Sequence, residues 1–226
     1  MSFQIFDLSR SITKKQTVAI TGLMLISFVL VHLAGNLFIF DGPKPFNEYA
    51  EHLERFGIFK KIAEWALFLV FLIHIERVTS LVVQNIRAAG GLKRYAVDNS
   101  RGPRSLATRL MPFTGTFLFL YLICHLYDFA WANDQGIRSM INGKSLGLYG
   151  LVVNSFKNPI HCWLYVVAMY CLCLHLTHGV ESFFQTFGIQ DSRFTLLVRK
   201  LSRVFALMIM IAYSSIPLYV LYILKI

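Results

Sequence analysis

Long apolar stretches alternate with short polar ones along this chain. Five apolar runs cover residues 18–40, 62–83, 110–132, 160–184 and 204–224. Each reaches the ~20 residues a helix needs to cross a hydrocarbon core of about 30 Å. In lipid only helices and closed barrels satisfy their own backbone hydrogen bonds. The pattern therefore predicts an all-α membrane protein with five transmembrane helices. It forms a single domain over residues 1–226, with no internal repeat and no low-complexity tract. The first run holds His32 and Asn36 and lacks a small-residue cleavage site, so it reads as a span and not as a signal peptide. The connection 41–61 opens Gly42-Pro43-Lys44-Pro45 and continues FNEYAEHLERFG, in which Phe46, Tyr49, Leu53 and Phe56 recur at helical spacing. That spacing predicts a short amphipathic helix on the outer surface. The connection 133–158 is rich in Gly and Asn and shows no clear element. Gly22, Gly35 and Gly115 are small residues that permit close approach of a helix or a cofactor.

Composition agrees with this class. The 226 residues are 56% hydrophobic and only 15% charged, with a mean hydropathy of +0.56. A soluble domain carries about 25% charged residues. The net charge of +10 would suit a nucleic-acid partner, but no basic–aromatic motif of that kind appears, and the positions of the charges describe topology instead. Arg10, Lys14 and Lys15 precede the first run. Arg87, Lys93, Arg94, Arg101, Arg104 and Arg109 follow the second, and Arg193, Arg199, Lys200 and Arg203 follow the fourth. On the other side, Lys44, Arg55, Lys60, Lys61, Arg138, Lys144, Lys157 and Lys225 are diluted by Asp41, Glu48, Glu51, Glu54, Glu64 and Asp134. The positive-inside rule predicts a cytoplasmic N-terminus, an external C-terminus and a basic cytoplasmic docking face. Cys124, Cys162, Cys171 and Cys173 lack C-x-x-C spacing and read as small apolar packing residues, not as a zinc or iron–sulfur site.

Four histidines sit one to a run: His32, His74, His125 and His175. Polar groups at bilayer depth are expensive and usually functional. With the helices alternating in direction, His32 and His125 lie towards the outside, and His74 and His175 lie central or inward. Each pair joins two helices that run the same way and stand diagonally across a four-helix bundle. Such bundles hold cofactors between facing helices, and paired axial histidines are ordinary haem ligation. The first four runs are thus expected to form a haem-binding bundle. The rival reading is a histidine-lined metal transporter, since imidazole also ligates zinc and copper. His178 stands one turn after His175 and reads as a haem-propionate or quinone-region residue, or as an interfacial one. His52 and His161 read as surface residues able to relay protons. Arg77 either faces a propionate or snorkels with Glu76. Arg109 is the comparable propionate candidate. Pro217 predicts a kink in the fifth run, which packs beside the bundle or in a dimer contact.

The segments HLAGN at 32–36, HIERVTSLVVQNIRA at 74–88, TGTFLFLYLICHLYDF at 114–129 and HLTHGVESFFQTFG at 175–188 resemble the five-helix, di-haem cytochrome b subunit of menaquinone-linked succinate dehydrogenases and fumarate reductases. The resemblance runs through all five helices. In that family the fourth ligand is followed four residues later by glycine, which here selects His175 with Gly179. The family pairs its ligands first with third and second with fourth. The resemblance implies an anchor and electron-transfer subunit with two haem b groups and a menaquinone site, and no dicarboxylate chemistry of its own. It would sit in a bacterial cytoplasmic membrane, bind a flavoprotein and an iron–sulfur subunit at the cytoplasmic face, and leave the heterotrimer free to dimerise. Relatives with a quinone site near the outer haem use an external carboxylate to take the quinol protons. Glu54 is the candidate here, with Glu48, Glu51 and Glu64 behind it. Some relatives also carry a glutamate two positions before the fourth ligand, where this chain has Cys173. A di-haem subunit of a hydrogenase or formate dehydrogenase is the nearest alternative.

Overall fold

The computed structural model describes residues 11–88, 106–188 and 192–224. Five helices in it are long and apolar enough to cross a membrane. In chain order the helices are α1 (Ser11–Asn36), α2 (Pro43–Glu54), α3 (Ile58–Ala88), α4 (Leu106–His125), α5 (Gly147–Phe156), α6 (Pro159–Thr186) and α7 (Ser192–Tyr222). A 3-10 turn, Leu37–Asp41, extends α1, and a π-helical turn, Leu126–Ala130, extends α4. All five predicted spans are present, each starting before its apolar run. Lys14, which the charge pattern placed ahead of the first span, lies inside α1. It is buried there and donates from Nζ to Ser80 Oγ at 2.8 Å. Arg10, Lys93, Arg94, Arg101, Arg104, Lys225 and the Arg193 side chain, all part of the predicted topology, lie outside the described residues.

α1 packs antiparallel on α3, and α4 on α6. Going up α1 from Lys14 to Thr21 meets α3 coming down from Ser80 to His74. Going up α4 from Thr108 to Thr114 meets α6 coming down from His178 to His175. α6 also packs on α1 and α7. α3 has no fully buried residue, and side chains such as Phe59, Trp65 and Leu69 stand exposed along it. An apolar surface of that extent is expected where the solvent is lipid.

The best-packed part of the molecule is a cap over one end of the spans. The predicted amphipathic helix is α2. Its Phe46 is buried against Tyr149 and its Tyr49 ring stacks on Phe38, while Leu53 and Phe56 stay exposed. A Cβ at Gly35 would overlap the Tyr49 ring, so α2 docks where α1 has no side chain. The connection 133–158, unreadable as sequence, folds into a two-stranded hairpin (Met140–Ile141 with Lys144–Ser145) and then α5. Tyr149, Leu151, Val152, Val153 and Phe156 of α5 are nearly inaccessible. Gly150 admits the Ser139 carbonyl against the α5 backbone, and Asn47 of α2 holds α5 by accepting from the Tyr149 amide at 3.0 Å and donating to the Leu146 carbonyl at 2.9 Å.

Candidate functional site

α1, α3, α4 and α6 surround a cleft of about 3940 Å³, far above the roughly 300–1,000 Å³ of an ordinary ligand pocket. His32, His74, His125, His175 and His178 all line it.

Two of these imidazoles are held in the same way. Thr21 of α1 lies 3.0 Å from His74 Nδ1, and Thr114 of α4 lies 3.4 Å from His175 Nδ1. Each threonine hydroxyl donates its one proton into its own helix: Thr21 to the Thr17 carbonyl at 2.8 Å, and Thr114 to the Leu110 and Met111 carbonyls at 3.2 Å. With the hydroxyl proton on the helix carbonyl, each hydroxyl oxygen is open to accept from an Nδ1–H of the facing histidine. In that tautomer Nε2 of each histidine keeps a free lone pair, the form in which imidazole binds a metal. The residue after each threonine is glycine. A Cβ at Gly22 would stand 3.4 Å from His74 Cε1, and one at Gly115 would stand 3.5 Å from His175 Cε1. His175 lies within electrostatic range of His74 and His178.

The second pair is His32 with His125, whose ring centroids are 5.8 Å apart. Two imidazoles bound to one metal from opposite sides put their centroids about 6 Å apart, given nitrogen–metal bonds of about 2 Å. Aromatic rings surround this pair: Phe28 stacks on His32, and Tyr121, Phe129 and Tyr165 ring His125. His125 Nδ1 is buried without a partner.

The two pairs form separate layers. Eleven residues separate Thr21 from His32 and Thr114 from His125, about 16 Å along a helix at 1.5 Å per residue. That equality exposes a repeat where none was expected: Thr-Gly followed ten residues later by His occurs in both α1 and α4. Each copy brings a layer-forming histidine and a clasp for the histidine of the neighbouring helix. His178, whose Nδ1 lies 3.1 Å from Thr108 Oγ1, has no such glycine beside it.

The remaining candidates divide. Arg109 lines the cleft. Arg77 does not, and its Nε pairs with Glu76 at 3.0 Å. Glu51, Glu54 and Glu64 reach the cleft and Glu48 does not. Glu54 is 70% exposed and bonds Lys60 at 2.8 Å. His52 is exposed as expected, whereas His161 is half-buried beside Asp128, a carboxylate sequence reasoning passed over. Cys162 and Cys173 are buried packing residues, Cys171 is half-buried and Cys124 is exposed; all four are free thiols. Among the described residues no group of three or more His, Cys, Asp or Glu is placed to hold a metal ion, so the histidines stand in twos.

Comparison with family models, with curated proteins and with solved structures finds no match for this chain.

Proposed function

We propose that the protein is a di-haem cytochrome b: the membrane anchor of a succinate:quinone oxidoreductase or quinol:fumarate reductase, carrying electrons between menaquinone and an iron–sulfur subunit. The observation that carries this reading is the two-layer set of histidine pairs on one cleft, with Thr21 and Thr114 set against Nδ1 of His74 and His175. His32 with His125, and His74 with His175, would each hold one haem between diagonal helices. Each bound haem supplies a one-electron carrier whose potential is set by its ligands and burial. The chain does the rest. Thr21 and Thr114 fix ring orientation and tautomer, and the apolar walls keep water from the irons. Arg109 at the cleft and His178 beside it are placed for propionates, with Arg77 the alternative. Glu54, at the cleft rim and paired with Lys60, is the sequence's candidate for the quinol base, and its claim is weighed against a second carboxylate below. The basic face, N-terminus inward, would dock the iron–sulfur and flavoprotein subunits in a bacterial cytoplasmic membrane.

The test is a reduced-minus-oxidised spectrum with haem counted per chain. Two b haems are expected. His32→Ala or His125→Ala should remove one, and His74→Ala or His175→Ala the other. A haem-free chain that binds zinc or copper would replace this reading with a transporter. Loss of a haem from His178→Ala, with both kept in His175→Ala, would overturn the ligand assignment. Co-purification of a hydrogenase or formate dehydrogenase, in place of a flavoprotein, would reassign the complex.

A further inference from the structure

Asp128 is the one carboxylate among the buried residues described, only 8% exposed. It sits in the π-helical turn that follows His125, where the Trp131 amide reaches back to the Leu126 carbonyl at 2.9 Å. π-turns of this kind occur frequently at functional sites. Three side chains converge on it. Tyr165 donates its hydroxyl to Oδ2 at 2.9 Å, His161 Nε2 lies 3.0 Å from the same oxygen, and the Arg138 guanidinium stands 3.6 Å from Oδ1.

This cluster is a poor structural staple. The arginine is beyond hydrogen-bond range and half-exposed, and the His161 nitrogen is too far off line to form a hydrogen bond as it stands. A buried charge held so loosely costs more than an apolar side chain would. The arrangement does have a direction. Tyr165 lines the cleft and its ring lies 6.1 Å from that of His125. Side-chain exposure then rises from 11% at Asp128 to 23% at His161 and 49% at Arg138. The other titratable neighbours, Tyr121 and Cys124 on α4, add no second carboxylate.

We infer that Tyr165, Asp128 and His161 form a proton exit from the His32/His125 end of the cleft to the surface at the start of α6. The inference rests on the electron-transfer reading and names the base for it. A quinol becoming a quinone gives up two electrons, one to each haem, and two protons. For each proton, the Tyr165 oxygen accepts it from a quinol hydroxyl while the tyrosine proton passes to Asp128 Oδ2. The His161 ring, 3.0 Å away, turns its Nε2 into line, takes the proton from Asp128, and the imidazolium releases a proton to solvent. Two passes restore all three side chains.

The experiment mixes the haem-loaded full chain with a soluble naphthoquinol. It follows haem reduction, proton release to an indicator dye and the infrared carboxyl region, with thermal stability measured in parallel. Asp128→Asn and His161→Ala should slow haem reduction and proton release at least about tenfold at unchanged Tm and haem content. Imidazole in the buffer should restore His161→Ala in part. A transient protonated-carboxyl band should appear in the wild type and vanish in Asp128→Asn. The inference fails if both variants stay within twofold of wild type. It also fails if their loss follows a fall in Tm without imidazole rescue, or if Glu54→Gln alone slows proton release. Should Asp128→Asn not fold, His161→Ala decides, since it leaves the Tyr165–Asp128 bond in place. A wild-type chain without haem would overturn the electron-transfer reading itself, a different result from intact haems with unaltered variants.

Discussion

At the residue scale, the threonine beside each inner histidine carries as much information as the histidine. An imidazole with a free Nδ1–H can rotate and change tautomer; one that donates to a threonine oxygen is held with Nε2 directed away from that threonine, and Thr21 and Thr114 stand within reach of Nδ1 for this. Removing a hydrogen-bond partner behind a metal ligand typically lowers affinity about 10- to 100-fold. Thr21→Val and Thr114→Val keep shape and remove the acceptor. Both should therefore weaken retention of the inner haem by about that factor, with Thr21→Val the more severe because its bond is the shorter. Competition with apomyoglobin for haem measures this, and the outer haem serves as internal control. The outer pair depends on aromatic packing instead, with His125 Nδ1 unpartnered, so its retention should not respond to either threonine.

At the scale of elements, the cap made by α2, the hairpin and α5 is held to the spans by few polar bonds and much apolar contact. Phe46, Tyr149, Val153, Phe156 and Tyr165 belong to one buried cluster that continues into α7 at Ile216 and Val220. Asn47 is its polar hinge. Asn47→Ala leaves the Tyr149 amide without its partner and takes one of two donors from the Leu146 carbonyl, which keeps the Gly150 amide, at a cost of about 1–3 kcal/mol for a group left buried and unmet. Faster hydrogen exchange at the Tyr149 amide and a lower melting temperature should report it. Asn47→Asp keeps the acceptor for Tyr149 and should fall between the two. Because α5 also supports the Arg138 loop, through Asn154 Nδ2 bonds to the Arg138 and Met140 carbonyls, the cap and the Asp128 cluster form one connected structure.

At the scale of the whole molecule, the five spans and the distribution of charge make a topological prediction. The charge pattern puts the N-terminus, the 89–105 connection and the start of α7 on the cytoplasmic side as an expectation, with the cap expected outside. Reporter fusions after residue 226 and within 133–146 should read external, and one within 89–105 cytoplasmic. Crosslinks from an iron–sulfur partner should fall between Arg87 and Arg109. Crosslinks to residues 41–61 instead would reverse the orientation. It would also place Asp128 and His161 on the cytoplasmic side.

The apolar runs determined the five spans by themselves, because in lipid length and hydropathy leave a segment no alternative to the helix. The histidines announced themselves for the same reason, as polar groups where polarity is costly. Their pairing by depth was legible from position along each run, since rise per residue converts sequence into height. Tertiary structure alone decided what surrounds them. Thr21 and Thr114 look like ordinary helix residues until α3 and α6 pack beside them, and only then does the shared Thr-Gly spacing to the next histidine acquire meaning. The α5 cap was hidden because Gly147 and Gly150 read as loop, when Gly150 marks where the Ser139 carbonyl needs room. Asp128 was passed over because a single acid near the end of a span reads as an interfacial residue. Its three partners come from positions 10 to 37 residues away, and only the folded chain brings them to one carboxylate.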